Sequence, residues 1–141
     1  MTAKEYLKQY KEIEVKLSLI EDEIINYETM AGHITTATDS VIVQSSKTID
    51  RIGDIAANLA DLKLEAMEYR SRLITQRAEI TKILCKLKDA RFITVLYLRY
   101  IKLKTWEQIS VEIGHYLRHT HRIHGKALQE LEKILIKDGI E

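Results

Sequence analysis

Two stretches of this sequence repeat apolar residues at alternating steps of three and four, and few chain architectures satisfy that spacing. From Ala3 the series runs through Tyr6, Tyr10, Ile13, Leu17, Ile20, Ile24, Tyr27 and Ala31, a heptad seam of about four repeats. Lys8, Lys11, Glu12, Glu14, Lys16, Glu21, Asp22 and Glu23 fall between the seam positions, as on a water-facing helix surface. The second series is Ile52, Ile55, Leu59, Leu62, Ala66, Tyr69, Leu73, Gln76, Ile80, Ile83 and Leu87, which predicts a helix of about 40 residues, roughly 60 Å long. None of the 141 residues is proline, so nothing interrupts helices of that length. The expected fold class is all-α. Each seam needs a cover, supplied either by the other seam in an antiparallel helical hairpin or by a second chain in a coiled coil. The second seam is the longer by about two heptads, and covering the excess calls for self-association or docking of the C-terminal segment, with a homo-oligomer the leading expectation. Gln76 is its one polar member; such a residue either fixes register and oligomer state or lies at the margin of the contact.

Residues 32–48 break the periodicity. Gly32, Thr35, Thr36, Thr38, Asp39, Ser40, Ser45, Ser46 and Thr48 surround a short apolar island, Val41, Ile42 and Val43. Hydroxyl side chains compete for backbone hydrogen bonds and favour turns and caps, so this stretch is expected to be a long joint. It lies within an expected helical, coiled-coil oligomerisation region, residues 1–88, and a second domain is expected over residues 89–141.

The formal charge of +1 hides a strong asymmetry. Residues 1–50 carry 5 basic and 9 acidic side chains (−4), residues 51–85 carry 6 and 5 (+1), and residues 86–141 carry 11 and 7 (+4). An electrostatic partner is therefore expected at the C-terminal third alone. With Cys85 the lone cysteine, neither a disulfide framework nor a four-thiolate zinc site is available, and a reducing cytoplasmic setting is expected. Apolar runs are only a few residues long and Lys4, Glu5 and Lys8 interrupt any signal-peptide core, so no membrane association is expected.

Beyond Leu87 the period changes. A helix is expected from about Ala90 to Ile101, then a link, Lys102 to Lys104. Thr105-Trp106-Glu107-Gln108 fits a capping box and starts a helix whose apolar face is Trp106, Ile109 and Ile113, with Gly114 placed to end it. A third helix runs through Arg118, Thr120, Ile123, Ala127, Leu128, Leu131 and Ile134 to about Lys137. Two short helices joined by a glycine turn, the second lined with basic residues, describe a helix-turn-helix.

The residues that carry a family resemblance are Leu98-Arg99-Tyr100-Ile101, Thr105 to Ser110, Ile113-Gly114, then Arg122 to Leu128 and Leu131. Over about residues 87–135 this run resembles sigma-factor region 4. It is more closely similar to small phage proteins of Gram-positive bacteria related to the RinA and ArpU late transcription regulators. Where that family usually carries Ser or Thr as the N-cap of the recognition helix, this chain has Leu117, a loss of roughly 1 kcal/mol of capping.

Between His115 and Lys126 lie Arg118, Arg122, Lys126 and four histidines, with no acid. In a helix-turn-helix the first residues of the second helix reach base edges, and basic residues further along and before it hold phosphates. Arg118, His119 and Arg122 are the base-reading candidates; Lys102, Lys104 and Lys126 are the phosphate candidates; His121 and Thr105 complete the DNA-facing set. His115 with His119, or His121 with His124, has helical spacing for metal ligation, but no nearby Asp, Glu or Cys completes a site, and no metal or other cofactor is expected. His124 is expected at the edge of the core, and Trp106 and Tyr100 within it. The chain has no phosphate-cradling glycine loop, nucleophile elbow or His-Glu pair at metalloprotease spacing, so no enzyme is expected. The resemblance implies a phage-encoded, sequence-specific regulator of late genes, most simply an activator, working on double-stranded DNA and RNA polymerase in the cytoplasm of a bacterial host. Two alternatives remain open: a small terminase-like packaging protein, and a protein-interaction module that engages RNA polymerase or a repressor.

Overall fold

The computed structural model describes residues 1–40 and 46–140, and every regular element among them is helical. Helix α1 spans Ala3–Ser40 and α2 spans Ser46–Leu84. They are followed by α3, Ala90–Leu96, a π-helical turn, Tyr97–Ile101, then α4, Trp106–Ile113, and α5, Leu117–Lys137. A capping box starts α1: the Thr2 hydroxyl accepts the Glu5 amide at 3.2 Å, and the Glu5 carboxylate accepts the Thr2 amide at 2.7 Å. Those bonds hold the Glu5 carboxyl below its ordinary pKa.

The expected joint over residues 32–48 is corrected at both ends. Helix α1 continues through Gly32 to Ser40 and α2 begins at Ser46. Glycine costs a helix about 1 kcal/mol and Ser or Thr somewhat less, but none of them removes a backbone donor as proline does. A long helix therefore runs on through them. The island Val41, Ile42 and Val43 lies outside the described residues.

Contacts gather the chain into two compact units, Met1–Ile13 with Leu73–Glu141, and Glu14–Arg72. The expected boundary at 88/89 thus differs from the contact boundaries at 13/14 and 72/73. In the unit Glu14–Arg72, the seam residues Leu17, Ile55 and Ala66 are buried, and Ile20, Ile24, Tyr27, Leu59, Leu62 and Tyr69 are half-buried. Ion pairs Glu21–Arg70, at 3.0 Å, and Glu28–Lys63, at 3.4 Å, flank this seam and run antiparallel. Both pairs are exposed, so each contributes under about 1 kcal/mol and chiefly favours register.

The other unit holds the larger core. Ala3, Tyr6, Leu7 and Tyr10 from α1 meet Ile80, Ile83 and Leu84 from α2, and Leu96, Tyr100, Ile101, Ala127, Leu131 and Leu135 join them. The Gln76 side-chain amide donates to the Gln9 side-chain oxygen Oε1 at 2.8 Å inside this unit, so the polar seam residue is hydrogen-bonded from α2 to α1. A second cluster, Val95, Leu98, Ile109 and Ile123, lies among α3, the π turn, α4 and α5. The Asp89 carboxylate caps α3 by accepting the Arg91 amide at 2.9 Å. The π turn closes with the Lys102 amide donating to the Tyr97 carbonyl at 3.0 Å, and its wider winding turns Leu98, Tyr100 and Ile101 all inward.

Candidate nucleic-acid interface

The capping box expected at Thr105 is present. The Thr105 hydroxyl accepts the Gln108 amide at 3.2 Å, and the Gln108 side chain accepts the Thr105 amide at 3.0 Å. Helix α4 ends at Gly114, whose φ of +72° is the left-handed conformation that favours glycine. Only Gly114, His115 and Tyr116 separate α4 from α5. The Ser110 hydroxyl donates to the His115 carbonyl at 2.6 Å, and the buried Thr120 hydroxyl donates to the Tyr116 carbonyl at 3.1 Å. Side chains on both helices therefore tie down the short corner between them.

The N-cap of α5 is Tyr116, with no side-chain cap hydrogen bond. This corrects the cap position expected at Leu117, which is the first helical residue. Thr120, Ile123, Ala127, Leu131 and Leu135 form the buried stripe of α5. Arg118, His121, Arg122 and Lys126 are exposed, and His119 is half-buried. The His119 and His115 rings meet edge-on at 4.6 Å. Desolvation first, then His115, Arg122, Arg91 and Lys126, push the His119 pKa down. His121 tilts against the Trp106 indole at 4.5 Å.

The remaining candidates are placed less uniformly. Lys102 is exposed, with its ammonium 5.8 Å from the Tyr97 ring centroid. Lys104 is engaged by Glu112 at 2.6 Å, which lessens its availability to a phosphate. The Thr105 hydroxyl oxygen is occupied as a cap. Arg118, Arg122 and Lys126 thus share one helix, whereas Lys104 and Thr105 serve the link and the start of α4. Among the described residues no group of three or more His, Cys, Asp or Glu side chains could hold a metal ion, and no helix is long and apolar enough to cross a membrane.

Sequence reasoning passed over Arg99 and the face of α1 next to it. The Arg99 guanidinium lies over the Trp106 ring at 4.5 Å and donates to the Lys104 carbonyl at 3.0 Å. His124, half-buried, stands edge-on to the same indole at 4.5 Å and hydrogen-bonds the Tyr100 hydroxyl at 2.8 Å. Burial, then Lys4, His121 and Arg99, depress the His124 pKa to about 4, so its ring is neutral at pH 7. Burial likewise keeps Tyr100 protonated by raising its pKa. A signal for the α1 contribution was available: residues 1–11 hold Lys4, Lys8 and Lys11 against Glu5 alone, a local +2 within a segment whose total is acidic. Compared with protein-family models, curated proteins and solved structures, the chain has no match.

Proposed function

We infer that the chain is a sequence-specific DNA-binding regulator that reads duplex DNA through the exposed face of α5. The observation that carries this is one surface: Arg118, Arg122 and Lys126, exposed on a helix with no acid from His115 to Lys126, directly after a three-residue glycine turn. Arginine forks match guanine edges, and flanking cations suit phosphates. On this reading α4, the turn and α5 form a helix-turn-helix like sigma-factor region 4, preceded by a long helical hairpin that sets the oligomeric state. The resemblance to RinA- and ArpU-type proteins makes a phage-encoded activator of late genes the most specific form of the reading. Its action is binding rather than catalysis.

Footprinting on the DNA adjoining its gene, paired with Arg118→Ala/Arg122→Ala, tests this. The wild type is expected to protect a promoter element. The double variant should bind that element at least 30-fold more weakly, because a bidentate base contact contributes about 1–3 kcal/mol. Unchanged affinity in the variant would remove α5 as the reading surface. Protection of a packaging site instead would favour a terminase-like role.

A second reading is favoured by Val111 and Tyr116, apolar side chains 84% and 88% exposed at the α4–α5 corner. Such exposure suits docking on RNA polymerase or a repressor. A polymerase complex that persists in Arg118→Ala/Arg122→Ala supports it.

A further inference from the structure

Lys4, Lys8 and Lys11 stand four and three residues apart, on one face of the first turns of α1. Together with Arg99, Trp106 and His124 they line a cleft of about 200 Å³. No carboxylate lines it. The three lysines are exposed and, among the described residues, take part in no ion pair. A larger groove of about 650 Å³ in the same unit offers a contrast: its Lys86, Lys88 and Lys137 are matched by Asp89, Glu130 and Asp138. Charge is balanced there and unbalanced in the cleft.

The cleft is also built rather than incidental. Indole stacking and a hydrogen bond to the Lys104 carbonyl fix the Arg99 guanidinium. Leu103, another lining residue, holds a left-handed φ of +55°, an uncommon conformation for a bulky side chain. Its neighbour Lys104 is pinned by amide donation to the Leu98 carbonyl at 3.0 Å. Burial is the first cause of the depressed His124 pKa, and Lys4 is the leading charged contributor beside it. Four cationic side chains thus line one cleft with no carboxylate among its walls, and like charges so placed repel. A multiply charged tetrahedral anion relieves that repulsion and accepts from arginine and ammonium donors at once.

We propose that this cleft is a phosphate-binding site, formed by Lys4, Lys8, Lys11 and Arg99, that takes a phosphate group from a duplex backbone or from a free polyphosphate. The duplex source rests on the DNA-binding reading of α5; the polyphosphate source does not. Trp106 is the sole tryptophan and forms part of the wall, so its fluorescence reports occupancy.

Full-length wild type, Lys4→Gln/Lys8→Gln and the charge-matched control Lys16→Gln/Lys82→Gln are titrated with inorganic tripolyphosphate and with duplex DNA at fixed ionic strength. All four lysines are exposed, so the fold should tolerate the changes. Saturable Trp106 emission changes are expected in wild type and control, with the midpoint raised about tenfold or more in Lys4→Gln/Lys8→Gln, since bonds to charged groups are worth that much. If the duplex is the source, the slope of log affinity against log salt also falls by about 0.9 in that variant. If tripolyphosphate saturates the site while DNA affinity and salt slope stay at wild-type values, the source is the free anion. A lysine-dependent tripolyphosphate response without any duplex binding leaves the cleft standing and overturns the DNA reading. Absence of a saturable response to both anions, or midpoints equal in wild type and Lys4→Gln/Lys8→Gln for both anions, overturns the cleft.

Discussion

A neutral His124 has a consequence for stability. Its ring is half-buried between the Tyr100 hydroxyl and the Trp106 indole, and its charged neighbours are Lys4 on α1, Arg99 on the π turn and His121 on its own helix. Every one of those charges opposes protonation. The folded pKa of about 4 lies below the ordinary 6.5, so the unfolded chain takes up the proton first. The stabilisation is therefore complete above the unfolded value and is lost as pH falls through 6.5 toward 4. Urea denaturation should show a fall of about 2 kcal/mol between pH 7.5 and 5, a window above the ordinary carboxylate range. His124→Gln should remove most of that slope. His119, shifted in the same direction, accounts for part of what remains. An equally steep slope in His124→Gln would place the titrating group elsewhere.

At the scale of elements, helix α5 contains one residue that its own fold does not require. Gly125 is exposed in mid-helix, and a Cβ built on it meets nothing within 4 Å. At 100° per residue it shares the outward face with Arg118, His121 and Arg122. Glycine there costs about 0.5–1 kcal/mol relative to alanine, and neither packing nor a positive φ explains it. If α5 lies against a duplex, the missing side chain permits close approach of a sugar–phosphate strand. Gly125→Ala is expected to stabilise the fold by about 0.5–1 kcal/mol in chemical denaturation while weakening duplex binding several-fold. Greater stability with unchanged affinity would take Gly125 out of the contact. The neighbouring elements show which signals a sequence carries at this scale. The Thr105–Gln108 box and the Gly114 terminator depend on residues within four positions of each other, and both were legible. The π turn at Tyr97–Ile101 leaves no comparable mark, because its extra residue per turn alters the backbone without requiring a special side chain. The continuation of α1 to Ser40 was missed because hydroxyl residues only weaken a helix.

At the scale of the whole molecule, the seams were legible because heptad spacing is a local property, and nearly every seam residue is at least half-buried. The cationic cleft was not, since it unites Lys4 and Arg99 across most of the chain length. Summed charge over residues 1–50 concealed it further. The seams also leave something over. In the unit Glu14–Arg72, Leu19 and Ile25 on α1 are 61% and 58% exposed, and Leu64 and Met67 on α2 are 66% and 62% exposed. Leu64 and Met67 are spaced to share one side of α2, away from the seam that Leu62, Ala66 and Tyr69 occupy. One seam between two helices cannot cover these residues; the homo-oligomer expected from the seams would bury them against a second copy of the chain. Light scattering of the wild type should give a mass above the 16.4 kDa of one chain. Leu64→Glu/Met67→Glu should bring it down to the single-chain value with helicity retained, because both positions are already in water in a lone chain and each carboxylate would have to be desolvated in an interface. If the proposed DNA-binding function holds, weaker duplex binding should accompany the loss, since joined binding modules gain from effective concentration. A wild type that scatters as a single chain would overturn the homo-oligomer, and a double variant of unchanged mass would assign the association to another surface.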